Sequence, residues 1–348
     1  MLPSMYSGIS GLKANQKKLD VIGNNIANSS TTAYKSQRVR FQDMVSQNVA
    51  QATQASTNLG GTNPRQVGLG VQIAGIDTTT STGNMQPTSR NLDAAIDGPG
   101  YFVVGSGPVP EGDSTATGLG TIEQPTPEEH KMSPNGINVN FTRDGSFTLD
   151  TQGSLLTSDG LRVYGYANDN VVIDYTEGKA DPKVPFTVTF TPNANKGADT
   201  TINSQALVPL VIPDSISDGT DNYRIQSFSI GKEGLITATL SSGATAVLGQ
   251  IAMTSFKNDA GLSKLGKNLY ETSANSGEPI LKSAFGVAST EDNSSGYGEM
   301  LQGMLEMSNV DLAEQFTDMI VASRAFQANG KIITTGDEIL QDLVNLKR

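Results

Sequence analysis

The stretch SNVDLAEQFTDMIVASRAFQANGKIITTGDEILQDLVNLKR, residues 308–348, contains no proline and repeats apolar side chains at alternating steps of three and four. Extended back to Leu301, the line runs Leu301, Leu305, Ser308, Leu312, Gln315, Met319, Ala322, Phe326, Asn329, Ile333, Gly336, Leu340 and Leu343, apolar at nine of thirteen positions. That spacing is the seam of a coiled-coil-like helix. Ser308 with Asp311 three residues on resembles a capping box and predicts a helix start there. From Asn309 to Arg348 a continuous helix would reach about 60 Å at 1.5 Å per residue. Gly330 and Gly336 fall inside it, each costing about 1 kcal/mol relative to alanine, and are expected to mark a flexible turn.

The opposite end of the chain repeats the pattern. Leu2, Met5, Ile9, Leu12, Gln16, Leu19, Gly23 and Ile26 are apolar at six of eight positions, with Pro3 suited to a first helical turn and Asn28-Ser29-Ser30 to a stop. Helices of this kind gain most of their stability from tertiary contacts, so both seams need a partner. The expectation is an intramolecular antiparallel pair packed on the rest of the chain. Two helices cannot bury both seams and their flanks, which leaves surface for other copies.

Between the ends the texture changes. Residues 46–66 (SQNVAQATQASTNLGGTNPRQ) are nearly uncharged and rich in Gln, Asn, Ser, Thr and Gly, the composition of an extended or adaptable linker. Strand signals follow at VGLGVQIAGI, LDAAI, GYFVV, LRVYGY, YRIQSFSI, LITATL and AVLGQIAMTSF. In NVNFTRDGSFTLD, Asp144-Gly145 separates Val139 and Phe141 from Phe147 and Leu149, which predicts a hairpin; Asp159-Gly160 predicts a second turn before LRVYGY. The fold class is therefore α+β: paired terminal helices forming a coiled-coil-like domain, and a mainly β domain inserted between them. The boundaries are 1–28 and 304–348 for the helices, 29–66 for a linker, 67–166 and 222–303 for the β domain, and 167–221 for loops or a small accessory lobe.

Composition narrows the function. A formal charge of −11 argues against a phosphate backbone as partner, since such binding needs clustered Lys and Arg. Lys13, Lys17 and Lys18 read as the solvated side of a helix. The absence of cysteine excludes disulfides and thiolate chemistry. The N-terminus lacks the basic and apolar regions of a cleaved signal peptide, and no run approaches the roughly 20 apolar residues of a membrane span. With 36% hydrophobic residues and no tryptophan, any core is modest.

No constellation of residues for chemistry assembles in the sequence. The one histidine, His130, sits beside Glu128 and Glu129, but adjacent residues do not converge on an ion as i, i+4 helical ligands do. GLSKLGKN (261–268) matches part of a phosphate loop, yet Asn268 stands where Ser or Thr would meet magnesium, and Leu269-Tyr270-Glu271 reads as a strand where a helix should follow. VGLGVQIAG has Ile73 at the third glycine position of a dinucleotide site. No catalytic residue, metal or cofactor is expected. The chain reads as an assembly subunit rather than an enzyme. An adhesive surface protein would be expected to carry a leader or anchor that this sequence does not display.

Several blocks carry a resemblance. LDVIGNNIANSSTTAYK (19–35), RNLDAAIDGPGYFVV (90–104) and FTRDGSFTLD (141–150) resemble the signature blocks of bacterial flagellar rod and hook proteins. Residues 308–348 and GQIAMTSFKNDAGLSKLGKNLYETS (249–273) are most similar to hook subunits. The resemblance implies a subunit exported through the flagellar type III apparatus and stacked under a cap into a curved tube outside the cell. That tube is a universal joint passing motor torque to the filament. The implied partners are the chain itself, the distal rod protein, the hook cap and the hook–filament junction protein, with no nucleic acid and no membrane insertion. The helix seams (Leu2, Met5, Ile9, Leu12, Leu19, Ile26, Leu301, Leu305, Leu312, Met319, Ala322, Phe326, Ile333, Leu340 and Leu343) are then the expected subunit interface. Residues 43–66 resemble an insertion of distal rod proteins, where it accompanies a straighter tube, so the straight drive shaft is the alternative assignment.

Overall fold

The computed structural model describes residues 2–54, 60–110, 122–123, 133–134, 136–168, 171–176, 185–190, 202–217, 221–284 and 293–346. The Glu128-Glu129-His130 run lies outside them. The chain divides into two compact units, one of Met1–Ser81 with Ser308–Arg348 and one of Thr82–Met307.

The first unit is built on α1 (Leu2–Ala27) and α2 (Leu312–Asn345). Asp311 is the N-cap of α2: its side chain accepts from the amides of Ala313 at 2.8 Å and Glu314 at 3.2 Å. The cap thus lies at the second member of the expected Ser308/Asp311 box, with an acidic residue, Glu314, three positions further on. Thirty-four residues make α2 about 51 Å long. The helix runs through Gly330 and Gly336 without the expected turn. Upstream of the cap, Asn309 gathers the incoming segments, donating to the carbonyls of Thr79 (2.9 Å) and Ser81 (3.1 Å) and accepting from the amide of Ser36 (2.8 Å).

The expected linker is structured. β1 (Gln37–Asp43) pairs antiparallel with β4 (Val71–Thr78), and β2 (Ser46–Ala50) with β3 (Arg65–Gly68); a bridge between Thr53 and Thr62 continues the ladder. Residues 37–54 and 60–78 therefore form the two arms of one long ribbon, and VGLGVQIAGI belongs to it rather than to the β domain expected from position 67 onward.

The second unit is mainly β. Its strand Tyr101–Ser106 lies antiparallel to Asn138–Thr142, Arg162–Asn168 and Met253–Ser255. Because side chains alternate across a strand, Phe102 and Val104 enter one buried cluster with Phe147 and Leu155, while Tyr101 and Val103 enter another with Phe141, Tyr164 and Tyr270. Burial on both faces explains why GYFVV reads as a continuous apolar run. In the second cluster Phe141 and Phe256 meet edge to face at 4.9 Å, a contact worth about 1 kcal/mol beyond burial.

Three sequence expectations are corrected here. Leu301 and Leu305 are not helical: they lie in the strands Glu299–Gln302 and Met304–Glu306, paired with Ala95 and Gln86. Gly303, at φ +73°, separates the two strands in a conformation that favours glycine. The stretch 167–221, expected as loops or an accessory lobe, contributes Val171, Ile173, Tyr175, Phe186, Val188 and Ile216 to the main buried cluster. The Asp144-Gly145 hairpin does not form: Asn138–Thr142 pairs with Tyr101–Ser106 and Leu269–Glu271, and Thr148–Leu149 pairs with Leu155–Leu156. At Asp159-Gly160, by contrast, the chain does turn back, with Gly160 at φ +78° and Leu156 opposite Arg162.

Candidate assembly interface

Helices α1 and α2 run antiparallel. Met5 lies against Gly336, Gly8 against Ile333, and Gly11 against Asn329; Lys18 pairs with Asp318 at 3.2 Å and Asn25 with Gln315 at 3.0 Å. A Cβ on Gly336 would stand 3.2 Å from Met5 Cγ, and one on Gly11 would stand 2.8 Å from Asn329 Nδ2. These glycines are therefore points of close helix approach, which offsets their propensity cost. Gly330 faces open space.

The heptad line on α2 holds the side turned to α1, through Gln315, Asn329, Ile333 and Gly336, with Ala322 fully buried and Met319 and Leu340 half-buried. Leu312, Phe326 and Leu343 on that line are exposed. On α1 the contact is displaced by one residue from the expected line. Gly8, Gly11, Ala14, Ile22 and Asn25 are the buried positions; Met5, Leu12, Leu19 and Ile26 are half-buried and Ile9 is exposed. Leu2 opens the helix. Counting apolar residues missed the true face because close approach selects small side chains there. The signal available was the Gly8, Gly11, Ala14 spacing.

Asn25 is a polar hub, 1% exposed. It donates to the carbonyl of Gln37 (2.8 Å) and to Gln315 Oε1 (3.0 Å), and accepts from the amide of Gln37 (3.0 Å) and the Tyr34 hydroxyl (3.1 Å). Its loss removes four hydrogen bonds that tie α1 to Tyr34, Gln37 and α2. Asn25→Ala is expected to destabilise the helical unit by about 2 kcal/mol, read as a lower far-UV circular dichroism transition; an unchanged transition would show that water replaces the hub. Close by, the buried Lys35 ammonium donates to the Ser81 carbonyl at 2.8 Å.

The outward surface of this unit is unusually apolar. On α2 the only buried residue is Ala322, while Phe316, Ile320, Val321, Ile332 and Val344 stand 49–68% exposed. The ribbon adds Val45 at 78% and Val49 at 67%. A two-stranded ribbon is marginal alone in water.

The near-phosphate string is a hairpin. Ser263–Gly266 pairs with Leu269–Glu271, and Lys267 and Asn268 sit in its turn at φ +53° and +58°. Two successive positive φ values are those of the tight turns that match strand twist. The helix that a phosphate loop requires is replaced by a strand. Among the described residues no helix is long and apolar enough to cross a membrane.

Comparison with known proteins gives a consistent picture. Three family models match: "Flagella basal body rod protein" at residues 5–35, "Flagellar hook protein FlgE/F/G D1 domain" at 131–238, and "Flagellar basal body rod FlgEFG protein C-terminal" at 301–346. The flagellar basal-body rod protein FlgG of Bacillus subtilis is 42% identical over 348 residues, covering all of both chains. The flagellar hook protein FlgE of Borreliella burgdorferi is 31% identical over 478 aligned positions, again covering all of both. A solved structure, the Helicobacter pylori flagellar hook protein FlgE2, matches 64% of this chain and 100% of its own at 14% identity and a TM-score of 0.38. With full-length relatives above 30% identity and family models at its start, middle and end, this chain belongs to the flagellar hook and rod axial proteins, structural subunits and not enzymes.

Proposed function

We propose that this chain is a subunit of the flagellar rod, the straight drive shaft, in preference to the curved hook. The observation that carries this reading is the ribbon. Residues 43–54 and 60–66 belong to a hydrogen-bonded two-stranded element, where the composition suggested an adaptable linker. Its exposed Val45, Val49 and Val67 gain a dry environment only against neighbouring copies. A paired ribbon laid across neighbours fixes their axial spacing, and a tube bends only when that spacing varies around its circumference. The full-length likeness to a rod protein of the same aligned length supports the same choice.

In this reading the helix pair supplies the cohesive wall. The seam residues that remain exposed, Leu312, Phe326 and Leu343, join Phe316, Ile320 and Val321 as contact surface. Export through the flagellar type III apparatus accompanies it, whereas contact with the hook cap and the hook–filament junction protein belongs to the hook reading.

Electron microscopy of assemblies formed by the purified chain tests the proposal. The intact chain is expected to form straight rods, and a chain lacking residues 43–66 to form curved or bendable tubes with unchanged melting of the β unit. The hook reading rests on the full-length likeness to hook proteins and predicts curved tubes from the intact chain. Straight rods from the shortened chain would remove the ribbon from the account of stiffness.

A further inference from the structure

Helix α1 presents two faces of small residues. Gly8 and Gly11 meet α2, while Ser7 and Ser10, one residue earlier and so about 100° around the helix, meet the ribbon. The half-buried Ser10 hydroxyl donates to the Ser7 carbonyl at 2.8 Å and accepts the amide of Val71 at 3.2 Å. Gly70 passes directly over this spot. A Cβ on it would overlap Ser10 Oγ and stand 3.2 Å from Ser10 Cβ and 3.3 Å from Ser7 Cα, and its φ of +126° favours glycine. The Gly70 carbonyl in turn accepts the amide of Met44, in the opposite arm, at 2.8 Å.

This contact sits at the waist of the ribbon, where the β1–β4 pair gives way to the β2–β3 pair. The far end of β1 is held to the same helix by Asn25, which bonds both the amide and the carbonyl of Gln37. The two holding points agree in length. From Ser10 to Asn25 the helix rises about 22 Å at 1.5 Å per residue, and from Gln37 to Asp43, the partner of Val71, the strand spans about 20 Å at 3.3 Å per residue. The β1–β4 pair is thus lashed in register along α1, and the β2–β3 pair, with Val45, Val49 and Val67 exposed, continues past the upper lashing.

We infer that Ser10 and Gly70 are positioning residues that fix where the β2–β3 pair leaves α1, so that a load on that pair passes into the helices. This rests on the rod reading above for what the ribbon does, and names the joint through which it acts. The Ser10 proton is committed to the Ser7 carbonyl, which leaves the oxygen lone pairs for the Val71 amide. Without the joint the ribbon would pivot about Gln37, about 20 Å lower.

Hydrogen exchange in assembled tubes tests the joint, and electron microscopy its consequence. Ser10→Ala removes one hydrogen bond to the ribbon, and exchange of the Val71 and Met44 amides is expected to rise about tenfold, with the Gln37 amide unchanged. Met44 is decisive because its amide bonds to Gly70 and not to Ser10. Gly70→Ala should raise the same amides further. Thr334→Ala, which removes a hydroxyl bonded in the same way to the Lys331 carbonyl (2.9 Å) at an exposed site on α2, should move none of them. Rods of Ser10→Ala are expected to bend more readily than those of the intact chain. Unchanged exchange at Met44 overturns the joint, and Ser10→Ala rods as stiff as the parent's overturn its part in stiffness while leaving the rod reading in place. Curved tubes from the intact chain would instead overturn the rod reading, with exchange at Met44 still deciding whether the joint exists.

Discussion

Glu306→Ala is expected to destabilise the β unit by about 3–5 kcal/mol, the cost of stranding a buried charge. Glu306 and Arg143 are 2% and 3% exposed, and Arg143 Nε donates to Glu306 Oε2 at 2.7 Å. The same guanidinium donates to the carbonyls of Ile96 (2.9 Å) and Gly98 (2.8 Å) and lies 5.7 Å from the centre of the Tyr101 ring. The other carboxylate oxygen accepts the amide of Gly83 at 2.8 Å. Removing the carboxylate therefore leaves the cation without its counter-charge and the Gly83 amide without its acceptor. For a unit of this size the loss corresponds to a melting point lower by about 10 °C. Arg143→Met combined with Glu306→Leu, which removes both charges, should recover part of it. A Glu306→Ala chain melting within 2 °C of the parent would mean that water reaches the pair.

Gly145→Ala is expected to cost about 3 kcal/mol, the upper end of ordinary overpacking. Gly145 accepts the amide of Ala94 at 3.0 Å, and a Cβ added to it would collide with the Ala94 carbonyl oxygen and stand 2.7 Å from the carbonyl carbon. Backbone at the buried Ala94, unlike a flexible side-chain end, has nowhere to move. Gly160→Ala provides the contrast. No atom lies within 4 Å of its added Cβ, so only the left-handed backbone at φ +78° is penalised, at about 1 kcal/mol. Denaturant titration of the two variants should separate them by about 2 kcal/mol; equal losses would contradict the close-approach account.

The two Asp-Gly pairs show what local sequence can and cannot say. Both carry the same turn signal, but only Asp159-Gly160 joins adjacent strands. At Asp144-Gly145 the segment instead places Arg143 under Glu306 and Gly145 against Ala94, contacts with residues 163 and 51 positions away in the chain. Long-range demands of this kind overrode the local preference. The same holds at Leu301 and Leu305, where a heptad count continued through two short strands whose partners, Ala95 and Gln86, lie far upstream. The terminal helices were legible because their periodicity is local and sustained. The face of α1 was not, because glycines and an asparagine make the contact that large apolar side chains were expected to make.

One feature of the β unit bears on the order of events in the life of the chain. Its first and last strands, Met85–Pro87 and Met304–Glu306, are neighbours, and the amide of Met307 is 2.9 Å from the carbonyl of Asn84. Contacts such as Asn25 to Gln315 span 290 positions, and α1 must wait for nearly the whole chain to be made before meeting α2. Once the middle has folded, however, that separation collapses to the width of one strand pair, and the entropy of closing so long a loop has already been met. Folding of the β unit thus brings its own two chain ends, at Asn84 and Met307, side by side. Damage to its closing strands, as in Glu306→Ala, should slow the docking of helices whose own side chains are untouched.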